Sequence, residues 1–255
     1  MSLLETRGLT KTFGRLAAVH EMSLRIEPGE RHALIGPNGA GKTSLFHLIT
    51  GRLRPDSGSV HFRNMDITGL APHKIASLGL ARSFQITNIF AHLSVKENVR
   101  LAIQARHGGR GVWWAGRSIV ASTADAAMTL LARLNLMAVA DMAAGTLSYG
   151  DQRRLEIGLA LATDPALILL DEPTAGMSRA ETHEIVDVLS QIPREITLLL
   201  IEHDIDVVFR LSDGVTVMHR GEILAQGTPH EMQRNALVQE AYYGGLPEPA
   251  EGVRP

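Results

Sequence analysis

The chain has 255 residues, 45% of them hydrophobic, 20% charged and none of them cysteine, enough to bury a core and incompatible with disulfide scaffolds, thiolate zinc sites and cysteine nucleophiles. Its 25 basic and 27 acidic residues give a net charge of −2, a balance that argues against a nucleic-acid partner and against an acidic disordered tail. Apolar runs such as 166–170 and 198–201 fall far short of the roughly 20 residues that span a bilayer, and the opening Met-Ser-Leu-Leu-Glu shows no secretory signal, so a cytoplasmic chain is expected.

Taken in chain order, residues 2–35 read as several short strands, the last an apolar run at 31–35 that stops at Gly36. Residues 42–50 place Leu45, Phe46, Leu48 and Ile49 at helical spacing, and Gly51 stands where a glycine ends a helix. A turn at 55–58 leads to a strand at 59–63. From about 88 to 162 the pattern is mostly helical, with helices expected at 95–104, 123–136 and 149–163. Strands return at 167–170, 196–201 and 215–219, with a helix at 179–191 and a short edge strand at 222–225. Apolar strands alternating with helices predict an α/β fold with a parallel sheet. The helical block reads as an insertion into that sheet domain, and the tail at 246–255, with three prolines, as loose.

The run Gly36, Pro37, Asn38, Gly39, Ala40, Gly41, Lys42, Thr43 fits G-x-x-x-x-G-K-[ST] between a strand and a helix. Glycines let backbone amides wrap a phosphate chain, and the helix start adds its positive dipole end. Lys42 is expected to reach the outer phosphates, the Thr43 hydroxyl to ligate Mg²⁺, and Ser44 to sit near the inner phosphates. A chance glycine-rich turn is the weaker alternative in this context.

The buried strand at 167–170 ends in Asp171 and Glu172. In a parallel sheet, ligands gather at the carboxyl ends of strands. Asp171 is therefore expected to serve Mg²⁺, through water or directly, and Glu172 to polarise an attacking water. An isolated acidic pair would more often cap a strand; beside a phosphate loop the functional reading is favoured. The strand at 196–201 likewise leads to His203. Position alone leaves His203 evenly balanced between a structural and a catalytic role. The other ten histidines show no metal-ligand spacing and read as surface or loop residues. Ser148 is a suitable N-cap for the helix at 149–163, with Asp151 as a capping-box-like partner. That helix start, with Gly150 beside it, also reads as an anion site.

Together these residues resemble the ATP-binding subunits of ABC transporters, over essentially the whole chain and in the family's order. The resemblance implies a P-loop NTPase parallel-sheet core (1–87 and 163–245), with an N-terminal antiparallel β region and an inserted α-helical subdomain (88–162). It maps the Q-loop glutamine onto Gln85, which would sense Mg²⁺ and the outer phosphate. The signature sequence falls on 147–151, the Walker B acids on Asp171 and Glu172, and the switch histidine on His203. Phe13 fits the aromatic that stacks on adenine, and Ser148 and Gly150 the phosphate-facing signature pair. Two subunits would bind two ATP head to tail, each nucleotide lying between one phosphate loop and the partner's signature helix. The implied partners are ATP with Mg²⁺, a second ATPase subunit, transmembrane permease subunits and a solute-binding protein. The chain would then sit on the inner face of the membrane through its permease.

The sequence departs from the family pattern at Tyr149 and Asp151 in the signature, and at Ala175-Gly-Met-Ser178 where S-A-L-D is usual. The wording around 172–182, 153–158 and 241–244 is most similar to the ATPases of branched-chain amino acid importers. Urea-uptake ATPases and the lipopolysaccharide-export ATPase are similar alternatives; a non-transport ABC ATPase fits less well. The stretch 98–124 lacks acids but holds Arg100, Arg106, Arg110, Arg117, Trp113 and Trp114. It reads either as a solvated loop, which is slightly favoured, or as a face meeting the permease or anionic lipid.

Overall fold

A computed structural model describes residues 2–82, 89–106 and 117–244. In chain order, β1 (Leu4–Phe13), β2 (Leu16–Met22) and β3 (Arg25–Ile26) precede β4 (Arg31–Ile35) and α1 (Lys42–Ile49). Next come β5 (Ser57–Phe62), β6 (Met65–Asp66), α2 (Pro72–Ser77) and β7 (Leu80–Arg82). Three longer helices follow, α3 (Val95–Arg106), α4 (Arg117–Arg133) and α5 (Tyr149–Ala162). The chain returns through β8 (Leu167–Asp171), α6 (Arg179–Ser190), β9 (Thr197–Ile201) and α7 (Ile205–Leu211). It closes with β10 (Gly214–His219), β11 (Glu222–Gly227), α8 (Pro229–Arg234) and α9 (Ala236–Gln239).

The strands form two sheets. One is antiparallel, in the order β2-β1-β5-β6 with β3 also on β1. The other runs β11-β10-β4-β9-β8-β7, parallel except for the edge strand β11. Within this second sheet the chain places β7, β8 and β9 on one side of β4 and β10 on the other. The loop after β4 therefore leaves the sheet where the strand order switches sides, the place where open α/β sheets bind ligands.

The apolar strands are apolar throughout because both faces of the parallel sheet are covered. Ala33, Ile35, Ile168, Leu170, Leu198 and Leu200 pack on the side of α3, α4, α5 and α6. The alternate residues Leu34, Leu167, Leu169, Leu199 and Ile201 pack against α1 and the antiparallel sheet. α1 ends with the bonds expected of a glycine-terminated helix: Gly51 N–H donates to Leu48 O and Arg52 N–H to His47 O.

Several expectations need correction. α4 starts at Arg117, earlier than expected, and ends at Arg133, two residues before Asn135 turns into the left-handed region at φ 56°. The short elements β6, β7, α2, α7, α8 and α9 were not foreseen. At two to seven residues they are too short to show a period. His32 is not a surface residue: it lies inside β4, 6% exposed, with its ring nitrogens 2.7 Å from Glu30 and 2.8 Å from Thr216. In the acid-free stretch, Arg100 pairs with Glu97 and Arg106 with Asp164, so acids outside the stretch neutralise these two arginines. Trp113, Trp114 and Arg110 lie outside the described residues, as does the Arg117 side chain.

Candidate functional site

The phosphate-type loop is folded tightly under two backbone segments. At Gly36 (φ 149°) an added Cβ would stand 2.1 Å from Met218 O, and at Gly41 (φ 100°) 2.0 Å from Ala18 O. Only glycine fits at both. α1 begins at Gly41 with no side-chain cap and no acid in its first turn, which leaves its first amides available to an anionic ligand. The Lys42 ammonium donates to Gly36 O (2.7 Å) and Pro37 O (3.0 Å). Burial lowers its pKa, while Glu172 and Asp171 act in the opposite sense.

A cavity of about 810 Å³ opens over this loop. Asn38, Gly39, Ala40, Gly41, Lys42, Thr43 and Ser44 line it, together with Glu172, His203 and Phe13. The fold thus brings residues from distant parts of the chain to one cavity. Sequence reasoning missed Leu16, Ala17, Ala18 and Arg220, which also line it. The alanines are carried there by the pairing of β2 with β1, and nothing local in the sequence marks them. Phe13 is 49% exposed, with the Lys11 ammonium 5.7 Å from its ring centroid, a half-open aromatic platform at the cavity edge.

Glu172 follows β8 and occupies the left-handed region at φ 48°, a conformation that costs a residue with a Cβ about 1–2 kcal/mol. Its N–H donates to Ile201 O at 3.0 Å, and its carboxylate is hydrogen-bonded to His203 Nε2. The two side chains are partly exposed and face the cavity together. Behind them lies Glu202, 2% exposed. Its carboxylate accepts from Thr174 Oγ1 (2.7 Å) and Thr174 N–H (3.1 Å) on one side and from His203 N–H (3.1 Å) on the other. Burial pushes its pKa up against these bonds. Glu202, also missed in the sequence, ties the segment after Glu172 to the segment carrying His203.

Asp171 sits below the cavity and not among its lining residues. It is wholly buried, and Arg82 Nη2 donates to its Oδ2 at 2.7 Å. Its second oxygen, Oδ1, has no hydrogen-bond partner among the described residues. Arg82 is a further residue that the sequence did not signal; burial lowers its pKa, and its guanidinium lies 5.8 Å from the Phe46 ring centroid. Gln85 lies outside the described residues. Among the described residues no group of three or more His, Asp or Glu side chains forms a metal cage.

Ser148 and Gly150 do not line the cavity. Ser148 caps α5 by accepting from Asp151 N–H at 3.1 Å. The expected box is only half made: the Asp151 carboxylate accepts from the Ser148 hydroxyl (2.8 Å) and pairs with Arg154 instead of the Ser148 amide. The Ser178–Glu181 box that starts α6 is complete. The two departures from the family pattern meet each other: the Tyr149 hydroxyl donates to Ala175 O at 3.3 Å.

Comparison with known proteins places the chain in a family. The family model described as ABC transporter matches residues 19–175, more than half of the chain. The BraF high-affinity branched-chain amino acid transport ATP-binding protein of Pseudomonas aeruginosa is 39% identical over 250 residues, covering 95% of this chain and 98% of that protein. LivG of Escherichia coli, with the same description, is 38% identical over the same shares. Among solved structures, the ADP conformation of an ATP-binding cassette of an ABC transporter superposes with a TM-score of 0.82 at 33% identity. It covers 96% of this chain and 99% of that one. A nucleotide-free ATP-binding cassette gives a TM-score of 0.79 at 31% identity over 95% and 99%. No helix of the described residues is long and apolar enough to cross a membrane. With its phosphate-type loop at the switch point of the sheet, and with these relatives, the chain belongs to the ABC transporter family as one of its ATP-binding cassettes, an ATPase.

Proposed function

We propose that this cassette powers the uptake of branched-chain or related amino acids. The observation that carries the reading is the convergence of Lys42, Glu172 and His203 on one loop cavity in a chain 38–39% identical, nearly end to end, to BraF and LivG.

ATP lies with its phosphates on the 36–44 loop and its adenine on Phe13. Lys42 turns from the loop carbonyls to the outer phosphates and neutralises charge there. Glu172 takes the proton of the attacking water through its carboxylate, and the His203 Nε2 N–H, now given to Glu172, is the donor for the γ-phosphate. Thr43 at the cavity, Asp171 beneath it through water, and Gln85 would hold Mg²⁺. The unpartnered Asp171 Oδ1 and the hydroxyl at the start of α1 are hard oxygen donors that suit such an ion. When bound, Mg²⁺ supplies charge neutralisation at the phosphates. Ser148 and Gly150 serve the nucleotide of a second ATPase subunit, like or unlike this chain. Permease subunits hold the pair at the inner face of the membrane and a solute-binding protein delivers the solute. Residues 1–87 and 163–245 form the nucleotide-binding core and 88–162 the helical subdomain.

Affinity isolation of the full chain from its native membranes tests this reading. A permease and an amino acid-binding protein are expected, and the reconstituted assembly is expected to take up leucine, isoleucine or valine only with ATP. Co-isolation of export-bridge proteins instead would reject import.

A further inference from the structure

Arg153 lies on α5, 6% exposed, and the chemistry proposed above gives it no part. Its Nε donates to Pro173 O at 3.2 Å, and its Nη2 donates to Asp171 O at 2.9 Å and to Glu172 O at 2.8 Å. One guanidinium therefore holds three successive carbonyls at the point where β8 ends and Glu172 turns into the left-handed region. Its Nη1 donates to Glu156 Oε2 at 2.9 Å, one turn further along the same helix. Glu156 is itself buried, and burial raises its pKa.

This is a task for arginine and not for lysine. A planar fork can offer several N–H groups in fixed directions at once, whereas an ammonium on a flexible stem cannot span three carbonyls and a carboxylate. The buried Glu156 is a poor device for stability by itself, since a buried ion pair rarely outweighs its desolvation. It does fix the orientation of the guanidinium. The fork also sits about 1.4 turns from Ser148 on the same rigid helix.

We propose that Arg153 is a positioning residue for hydrolysis. It binds the end of β8 to the helix that starts at Ser148, keeps Glu172 in the backbone geometry that turns its carboxylate to His203, and transmits displacement of the Ser148 end of α5 to Glu172 of the same chain. The inference rests on Glu172 acting as the base.

The test uses the full chain in its ATPase-competent assembly and three variants. Arg153→Met with Glu156→Leu removes the fork without leaving a buried charge; Arg153→Lys keeps the charge alone; Glu172→Gln removes the base. The double variant is expected to lose about 10–100-fold in kcat, while the KM for ATP and the affinity for a non-hydrolysable ATP analogue stay within twofold. Arg153→Lys is expected to fall between it and the wild type at an unchanged Tm. Added to Glu172→Gln, the double variant is expected to slow single-turnover hydrolysis by less than twofold, because residues that act as one unit are not additive. A wild-type kcat in the double variant overturns the inference. So does a kcat loss that travels with equal losses in analogue affinity and Tm, or a full additive loss in the Glu172→Gln background. If Glu172→Gln itself turns over at the wild-type rate, the base assignment falls and takes this inference with it; if only the Arg153 variants behave like wild type, the base assignment stands.

Discussion

Two helix starts in this chain, those of α1 and α5, are built to opposite plans. α1 begins at a glycine without a side-chain cap or an early acid, within a cavity that also receives Glu172, His203 and Phe13. α5 begins at a capped serine with an acid in its first turn, and Ser148 and Tyr149 lie exposed outside that cavity. An uncapped start keeps its amides for a phosphate. A capped start is already satisfied locally, and gains from an anion only when another surface brings one to it. On the function proposed above, the two starts supply complementary halves: α1 the phosphate loop of one composite site, and α5 the signature end of the other.

Substitutions in the loop cavity should cost most. Glu172→Gln is expected to reduce turnover by about 10³-fold, with ATP binding retained in an equilibrium binding assay; wild-type turnover would remove the base from the enclosed half. Lys42→Ala comes next. Losing its charged hydrogen bonds is expected to weaken ATP binding by about 10–100-fold, and unchanged affinity in a titration would break the phosphate-loop reading. Ser148→Arg tests the α5 start. It is expected to leave ATP affinity of the isolated chain within about twofold and to lower turnover of the assembly. Mixing it with Lys42→Ala chains is expected to restore part of the activity, since one composite site then has two intact halves. A fall in the isolated chain's affinity would mean that Ser148 belongs to the enclosed site after all.

The smallest effect concerns the frame behind Phe13. The hydrogen bonds from Lys11 and Thr12 hold the Asp56 carboxyl at about 2, below its ordinary value. A lowered carboxylate pKa contributes stability that is complete above the ordinary value of about 4 and lost as pH falls from there toward 2. Asp56→Asn is expected to flatten acid unfolding in that window and leave neutral-pH turnover unchanged. An unaltered acid transition by circular dichroism would show that this frame does not matter to stability.

Much of the enclosed site was legible because its motifs are local. The phosphate-type loop, the strand ending in two acids and the serine caps each occupy a few consecutive residues with a chemical reason for their spacing. The long helices and buried strands were legible by period. Arg82, Glu202 and Arg153 were not. Each acts on a partner far along the chain: Arg82 on Asp171, Glu202 on Thr174, Arg153 on the carbonyls of residues 171–173. A lone charged residue in a helix or at a strand end gives no sign of such a partner. His32 illustrates the same limit, since its burial depends on Thr216 in the neighbouring strand.

Local residue patterns were enough to specify the parallel-sheet class, the loop that wraps a phosphate, and the acids and histidine at strand ends. These follow from backbone sterics, side-chain alternation and the chemistry of short segments. Long-range packing sets the rest: Glu172 meets His203, Asp171 turns down to Arg82, and Ser148 stays outside the cavity. Strand register governs these meetings. β8 lies beside β9 with Asp171 opposite Ile201, and that long-range pairing, not any local preference, sets which side chains face one another at the carboxyl edge of the sheet.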